Sequence, residues 1–371
     1  MIGGYHSYNA QVMASHFVQY NMPFFILATT EHLVRGYSSW GNLWAMVETD
    51  ITKCEVLLSK AVMYGCGSVA LIVREDDAYG QTFIDWFAFQ AKELGIVNCG
   101  VFTYADGDCS QMKMAFESGS DCVICASTME EDIAKMIEAR NSVQKSTGRY
   151  IRTLFSDSVF TPGFIERFGT VCEGMEGVMY SSDPESGFDV AYQVVFNEDS
   201  SCGEAQTYDA CMLIGLVTMI QRLDGSLDFK SAMRKLVSGR TPVYGTWTAA
   251  GMAAFTTSIA AGENPDIIGA SGNLNFDSKV FTNVLSTTYC NYIINNLRYV
   301  IIDYNSTSGG TRTDPTLAGW NWKAKQMQEI GQGPDAALPE LDQRWALLAA
   351  TSKGWEKTTA IRRMCSICTG Y

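Results

Sequence analysis

Residues 68–96, with the sequence SVALIVREDDAYGQTFIDWFAFQAKELGI, decide the fold class. They begin with a short β-branched run, Ser68–Val73, and pass through a polar turn. In the following segment, apolar residues recur every three or four positions up to Gly95. This order predicts a strand followed by an amphipathic helix that ends at a glycine.

The same strand–helix unit repeats downstream. Strands are predicted at 97–105, 121–127, 150–157 and 176–182, with helices between them at 109–118, 130–141 and 161–169. Strands separated by single helices form a parallel, doubly wound sheet. The handedness of the connections brings the carboxyl ends of these strands to one edge, and ligands of such sheets bind there.

The segments on either side follow a related pattern. The first 65 residues predict a strand end at 1–4, a helix at 9–21, a strand at 23–30 and a helix at 48–65. After residue 182, a polar stretch leads to helices at 204–223, 228–237 and 245–262. A turn-rich segment at 269–280 and a final strand region at 290–303 follow. Residues 305–340 show no periodicity and are predicted as a loop or linker.

Composition excludes several classes of function. A net charge of -13 argues against a nucleic-acid partner, because phosphate binding needs clustered Lys and Arg. No apolar run reaches the roughly 18 residues of a membrane span. The first residues have neither the basic segment nor the apolar core of a signal peptide. The three histidines and the scattered C-x-x-C pairs lack metal-site spacing, so we expect no metal and no cofactor.

Small polar residues fill the turns that follow the predicted strands. Helix N-termini and hydroxyl groups can hold a carboxylate, and a buried aspartate can pair with an ammonium group. Capping of the next helix is the competing interpretation for each turn taken alone. The side chains in these turns are Ser7; Ala28, Thr29 and Thr30; Tyr79; Ser127 and Thr128; and Asp157.

Four stretches together resemble one protein family. They are IGGYHSYNAQVMASHFVQYNMPFFILATTEHLVRGY, VALIVREDDAYGQTFIDWFAFQAKELGI, AQTYDACMLIGLVTMI and GASGNLNFDSKV. In this order, over roughly residues 1–305, they resemble type I periplasmic binding proteins of the leucine/isoleucine/valine-binding branch. They are also similar to the ligand-binding domains of metabotropic glutamate receptors. The resemblance implies an α/β fold with two lobes, each a doubly wound, mostly parallel sheet.

The resemblance also implies a set of ligand-binding residues. Tyr5, His6 and Ser7, with Ala28 and Thr29, would hold the carboxylate of an amino acid from the first lobe. Tyr79 would cover the ligand from the second lobe, and Asp157 would pair with its ammonium group. Ser127 lies in a turn where the family often has an aromatic residue, so the side-chain pocket differs from the family pattern. Glu204 is a second candidate partner for a cationic group.

Both ends of the chain depart from the family pattern. Family members begin with further elements before the segment matched by IGGYHS, so we expect an incomplete first lobe. Residues 344–356, RWALLAATSKGWE, resemble the first strand of legumain-like cysteine peptidases, and residues 357–371 do not continue that resemblance. A frameshift after Glu356 would explain the change. The predicted divisions are a first lobe at 1–64 and 226–284, a second lobe at 65–225 and 285–310, a linker at 311–343, and a remnant of another domain at 344–371.

The sequence therefore predicts a non-enzymatic module that binds a small amino acid or similar zwitterion between two lobes. In the intact protein it would be periplasmic or extracellular and could serve a membrane transporter. The alternative is the regulatory region of a multidomain cysteine peptidase whose catalytic domain lies outside this chain. A phosphate-binding enzyme built on GGYHS is disfavoured, because no Lys follows the glycines.

Overall fold

The computed structural model describes residues 1–28, 30–37, 40–105, 108–156, 162–200, 202–276, 284 and 287–306. Within these residues the chain forms eleven α-helices. They are α1 Ser7–Phe17, α2 Glu31–Gly36, α3 Asp50–Met63, α4 Ala78–Glu93, α5 Ser110–Glu117, α6 Glu130–Thr147, α7 Pro162–Phe168, α8 Phe188–Phe196, α9 Glu204–Leu223, α10 Phe229–Val237 and α11 Ala249–Ala260.

The described residues also form thirteen strands in three sheets. They are β1 Ile2–Gly3, β2 Phe24–Ile26, β3 Leu43–Ala45, β4 Ser68–Arg74, β5 Val97–Tyr104, β6 Cys122–Ala126, β7 Arg152–Phe155, β8 Glu176–Tyr180, β9 Thr241–Tyr244, β10 Pro265–Gly269, β11 Gly272–Asn273, β12 Thr288–Asn295 and β13 Arg298–Ser306.

The largest sheet has seven strands in the order β13-β12-β8-β7-β6-β4-β5. Strands β4 to β8 run parallel, and β12 and β13 join them antiparallel at one edge. Residues Val69–Val73 of β4 are fully buried, as expected for a strand covered on both faces. Helix α3 packs on α4 and on this sheet, and Val56 and Leu57 belong to its core. We call this sheet and its helices the larger lobe.

The two smaller sheets share one core. Strands β1, β2 and β3 are parallel, as are β9 and β10, and β11 pairs antiparallel with β10. Phe25 and Trp44 of the first small sheet pack in one cluster with Leu213 of α9, Val243 of β9 and Ile267 of β10. Because this apolar cluster joins both small sheets through α9, they form a single unit, which we call the smaller lobe.

The predicted α/β fold with parallel-dominated sheets is confirmed, and so is the helix at Glu204–Leu223. The residue boundaries predicted for the lobes and the incomplete first lobe stay predictions. Helix α3, which the prediction assigns to the first lobe, packs on the larger sheet. Residues 311–371, the predicted linker and domain remnant, lie outside the described residues.

Several short elements were not predicted. Strands β3, β9 and β10 lie where no strand is predicted, and α8 lies in the predicted polar stretch after residue 182. The final strand region is a hairpin. Asn296 and Leu297 adopt φ values of 53° and 55° at its two-residue turn. Both turn N–H groups donate to the carboxylate of Glu173, at 2.8 and 3.2 Å, which stabilises a conformation that Leu rarely adopts.

No helix of the described residues is long and apolar enough to cross a membrane. The same residues hold no cluster of His, Cys, Asp and Glu that could bind a metal ion.

A buried carboxylate connects α9 to the second small sheet. Asp209 is fully buried and accepts hydrogen bonds from the backbone N–H groups of Ala270 and Ser271, both at 2.8 Å, and from the Ser271 hydroxyl at 2.6 Å. Gly269 lies so close that a Cβ atom there would be 2.4 Å from Oδ1 of Asp209. The glycine is therefore required by the close approach of the carboxylate.

We expect Gly269→Ala to destabilise the fold by about 1–3 kcal/mol, because the added methyl group overpacks the site beside Asp209. The matched control is Gly215→Ala. Gly215 lies in α9 and has no neighbour within 4 Å of an added Cβ, so this change should stabilise the helix by about 0.5–1 kcal/mol. Urea unfolding of both variants measures the two effects. Equal stabilities for the two variants would contradict the close-approach argument.

Burial raises the pKa of Asp209 from 3.8 to about 6, even though its three hydrogen bonds favour the charged form. The folded state therefore retains the proton over a range in which the unfolded chain has lost it. The contribution of Asp209 to stability is complete below pH 3.8 and falls as the pH rises through about 6. The wild-type free energy of unfolding, minus that of Asp209→Asn, should drop by about 3 kcal/mol between pH 3.5 and pH 7. If this difference in the free energy of unfolding stays constant or increases with pH, the pKa of Asp209 is not raised in the folded state.

Candidate functional site

A cavity of about 530 Å³ lies where the two lobes meet. Tyr5 and Leu27 reach it from the carboxyl ends of β1 and β2, Trp247 from the turn between β9 and α11, and Glu204 from the first turn of α9. Helix α8, which follows the last parallel strand of the larger lobe, also lines the cavity. The lining residues are Tyr5, Leu27, Phe188, Ala191, Tyr192, Val195, Phe196, Cys202, Gly203, Glu204, Thr207, Tyr208 and Trp247.

Aromatic rings form one side of this cavity. The ring centroid of Phe188 lies 5.4 Å from that of Tyr208, 5.8 Å from Tyr192 and 5.9 Å from Trp247. Tyr208 and Trp247 meet at 5.8 Å with their planes at 81°. These edge-to-face and tilted contacts fall in the range that favours ring pairs. The rings therefore form a preorganised aromatic cluster, which consists of Phe188, Tyr192, Tyr208 and Trp247.

Local backbone geometry positions helix α8. Gly187 has a φ of 76°, which only glycine adopts without strain, and it turns the chain into the helix. The Ser186 hydroxyl accepts the N–H of Phe188 at 3.1 Å. Asp189 in the first turn accepts hydrogen bonds from the hydroxyls of Ser182 and Ser200. These contacts attach α8 to the end of β8 and leave its inner face towards the cavity.

The segment before α9 closes the back of the cavity. The hydroxyl of Tyr5 lies 3.4 Å from Sγ of Cys202, which connects the first small sheet to this segment. Gly203 has a φ of 86° and is buried between Leu27, Tyr5 and Tyr180. A backbone in this conformation needs glycine, and it directs the next residue, Glu204, into the cavity.

The charge in the cavity lining is negative. Glu204 is its charged residue, and no Lys, Arg or His of the described residues lines the cavity. Loss of solvation, together with the nearby carboxylates of Glu204 and Glu198, raises the pKa of Tyr192 to about 12. The cavity therefore presents negative potential and a neutral phenol at physiological pH. This chemistry suits a cationic group on a ligand.

A second group of site candidates surrounds a buried lysine. Lys53 of α3 forms an ion pair with Asp50 at 2.8 Å, and both side chains are almost fully buried. Its Nζ atom lies 5.3 Å from the ring centroid of Tyr79 and 5.6 Å from that of Tyr180. Tyr79, predicted to cover the ligand, is 4% exposed and packs against this ammonium group. Sequence reasoning missed Lys53, because α3 offered no signal beyond its helical periodicity.

Ser127 belongs to a hydrogen-bond network at the ends of the larger sheet. Its hydroxyl accepts the N–H of Met129 at 3.1 Å and lies 3.4 Å from Asp132. Arg74 and Tyr104 each donate a hydrogen bond of 3.0 Å to the same carboxylate oxygen of Asp132. Burial raises the pKa of Tyr104 well above its usual value. This network fixes the turn after β6.

The predicted site residues fall into three groups: those that line the cavity, those that lie elsewhere, and those outside the described residues. Tyr5 and Glu204 line the same cavity. His6 is exposed and Ser7 is buried at the start of α1, while Ala28 donates its N–H to Gly4. Their ligand roles, and those of Tyr79 and Ser127, stay predictions. Thr29 and Asp157 lie outside the described residues.

The aromatic cluster was not predicted from the sequence. Phe188 and Tyr192 lie in the stretch described as polar, and Trp247 was included in a predicted helix. An apolar run at helical spacing in FDVAYQVVF, residues 188–196, is the signal that could have identified α8.

Comparison with known proteins identifies the fold. No protein-family model matches the chain, and no curated protein matches it by sequence. Solved structures do match. A leucine-binding protein from Thermotoga maritima is 18% identical, with a TM-score of 0.62 over 82% of this chain and 78% of that chain. A branched-chain amino acid transporter substrate-binding protein from Streptococcus pneumoniae, solved with isoleucine, is 15% identical, with a TM-score of 0.55 over 82% and 77%.

A third match is a solute-binding protein of an ABC transporter from R. palustris, solved with benzoate. It is 13% identical, with a TM-score of 0.58 over 82% of this chain and 76% of that chain. The fold of this chain is therefore the two-lobed type I periplasmic-binding-protein fold, as the sequence resemblance predicts. At these identities the likeness shows the fold alone.

We expect Asp50→Asn to destabilise the protein by about 3–5 kcal/mol, because it leaves the Lys53 ammonium buried without its carboxylate. The double variant Asp50→Leu/Lys53→Met should cost less than the single change, since both charges are then absent. Glu117→Gln is the control. Glu117 pairs with Lys113 on the surface, and its loss should change stability by less than about 1 kcal/mol. Urea unfolding gives the three values, and a double variant less stable than Asp50→Asn would contradict this account.

Proposed function

We propose that this chain binds a small amino acid or a similar zwitterion in the cavity between its lobes and performs no catalysis. The observation that carries the proposal is a cavity lined both by the smaller lobe and by α8, the helix that follows the last parallel strand of the larger sheet. Tyr5, Leu27 and Trp247 come from the smaller lobe, and Phe188 and Tyr192 come from α8 beyond the larger sheet. A ligand in such a cleft contacts both lobes and stabilises their closed arrangement.

The chemistry of the lining supports an organic ligand with an ammonium group. Glu204 supplies the carboxylate for that group, and the aromatic cluster surrounds an apolar side chain. Ser7, at the N-terminus of α1, and Thr29 are proposed to hold the ligand carboxylate. Asp157 remains the candidate that the family resemblance favours for the ammonium group.

The related folds support the wider role. Proteins with this fold have been solved with isoleucine and with benzoate, and they are substrate-binding proteins of transporters. We propose that this module acts likewise outside the cytoplasm, as a receptor or solute-binding unit of a membrane transporter. The peptidase alternative rests on residues 344–356, which lie outside the described residues.

A blocking substitution tests the site. Ala191 lies on the cavity face of α8, so Ala191→Trp should fill the cavity and abolish saturable ligand binding. Val190, the preceding residue, is 68% exposed and does not line the cavity, so Val190→Trp is the matched control and should bind as the wild type does. Thermal unfolding with each of the common amino acids identifies ligands, since a ligand at 100 times its Kd stabilises the folded state by about 2.7 kcal/mol.

Calorimetry then gives the affinity of each variant for the ligands found. The proposal fails if no amino acid or related zwitterion stabilises the wild type. It also fails if Ala191→Trp binds as tightly as Val190→Trp, because the ligand would then occupy another place.

A further inference from the structure

We propose that the cavity recognises the ammonium end of its ligand and does not require the carboxylate, so that its preferred class is the arylalkylamines. This inference rests on the proposed function and names the ligand class of the same site. Three features carry it: the single sign of charge in the lining, the arrangement of the rings and the apolar mouth formed by α8.

The first feature is the charge. Among the residues that line the cavity, Glu204 is the acidic one, and the described residues place no basic side chain there. A ligand carboxylate in this cavity would be desolvated beside a negative charge, whereas an ammonium group gains a charged hydrogen-bond acceptor. Removing the carboxylate from an amino acid therefore removes repulsion and leaves the attractive contact.

The positive end of α9 is the one feature of the lining that could favour an anion. Helix N-termini attract negative charge, and α9 starts at the cavity. However, Glu204 is itself the first residue of that helix. An acidic residue in the first turn offsets the positive end of the helix dipole. A second carboxylate there meets a neutralised helix end.

The second feature is the aromatic cluster. Phe188, Tyr208 and Trp247 are in mutual contact with ring centroids 5.4–5.9 Å apart, and Trp247 stands nearly perpendicular to both of the others. All three rings line the cavity. The faces attract a cation within about 6 Å, and the edges pack on an aromatic ring of the ligand. An amine with an aromatic body uses both kinds of contact.

The third feature is the apolar mouth. Val195 and Phe196 line the cavity but remain 71% and 59% exposed. Covering such side chains lowers the free energy, because it removes apolar surface area from water. A ligand whose apolar body extends along α8 covers them, while its ammonium group reaches Glu204. A small polar amino acid such as glycine does not extend that far.

Three probes that differ in one group each test the proposal by calorimetry on the full chain. They are 2-phenylethylamine, phenylalanine and 3-phenylpropanoate. We expect 2-phenylethylamine to bind at least as tightly as phenylalanine, and 3-phenylpropanoate to bind at least tenfold more weakly. Glu204→Gln should weaken the amine tenfold to a hundredfold and leave 3-phenylpropanoate unchanged.

Two ring variants separate the cation–π contribution from packing. Trp247→Leu should weaken 2-phenylethylamine about twofold to thirtyfold, and Trp247→Phe should restore most of that loss. Val190→Ala, a change at an exposed residue of α8 that does not line the cavity, serves as the control and should bind the amine with unchanged affinity. Thermal unfolding of every variant without ligand confirms that each one is folded.

The outcomes distinguish the inference from the proposed function. If phenylalanine binds tenfold or more tightly than 2-phenylethylamine, the ligand-class inference is wrong while amino-acid binding stands. The same conclusion follows if Glu204→Gln weakens all three probes equally. If no amino acid or related zwitterion binds, the proposed function itself fails, whether or not an amine binds.

Discussion

The buried carboxylate of Asp209 is the contact on which the meeting of the two lobes depends. It holds the turn at Ala270 and Ser271 against α9 through three hydrogen bonds. The carbonyl of Ala270 in turn accepts the N–H of Asp183, just after the last parallel strand of the larger lobe. One turn is thus bonded to α9 of the smaller lobe and to the segment that leaves the larger sheet after β8. Gly269 is required next to it because any side chain would displace the carboxylate.

The cavity is built directly upon this junction. Phe188 packs on Ala270 and Ala205 in a small apolar cluster, joined by Tyr208 and Trp247. Because Tyr208 precedes Asp209 on α9, the same helix turn that forms the buried contact also supplies a ring of the binding wall. Stability and recognition are therefore coupled here. A change that loosens the junction also moves the aromatic rings against which a ligand is held.

The sequence predicted the larger sheet well and the smaller lobe only in part. Strands such as β4 and β6 are apolar runs of five to seven residues followed by long helices, so periodicity identifies them. Strand β3 has three residues and β11 has two, which is too short for any periodic signal. Their pairing depends on partners distant in the chain, and local propensity does not encode that.

The residues of the candidate site also divide into those next to elements with a local sequence signal and those that meet only in the folded chain. Tyr5 and Glu204, which line the cavity, were named from the family resemblance, and each lies at the end or start of a recognisable element. Phe188 and Trp247 could not, because they come from segments with no relation in sequence and meet only through tertiary packing. Lys53 was missed for a different reason. A lysine in a helix is usually solvated, and its burial between two tyrosines depends on how α3 docks.

The place of β12 in the larger sheet has a consequence for synthesis on the ribosome. Residues Tyr289–Ile293 pair with β8, whose residues Glu176–Tyr180 leave the ribosome about a hundred residues earlier, so the sheet contains a contact of high sequence separation. Until β12 has been synthesised, β8 has no partner on that side. Its residues, which are buried in the folded protein, then form an open edge of the sheet. Such an edge can pair with other chains, and a nascent chain paused in this interval is the form most exposed to aggregation. The order of the strands thus makes the translation rate between these two segments a determinant of folding yield.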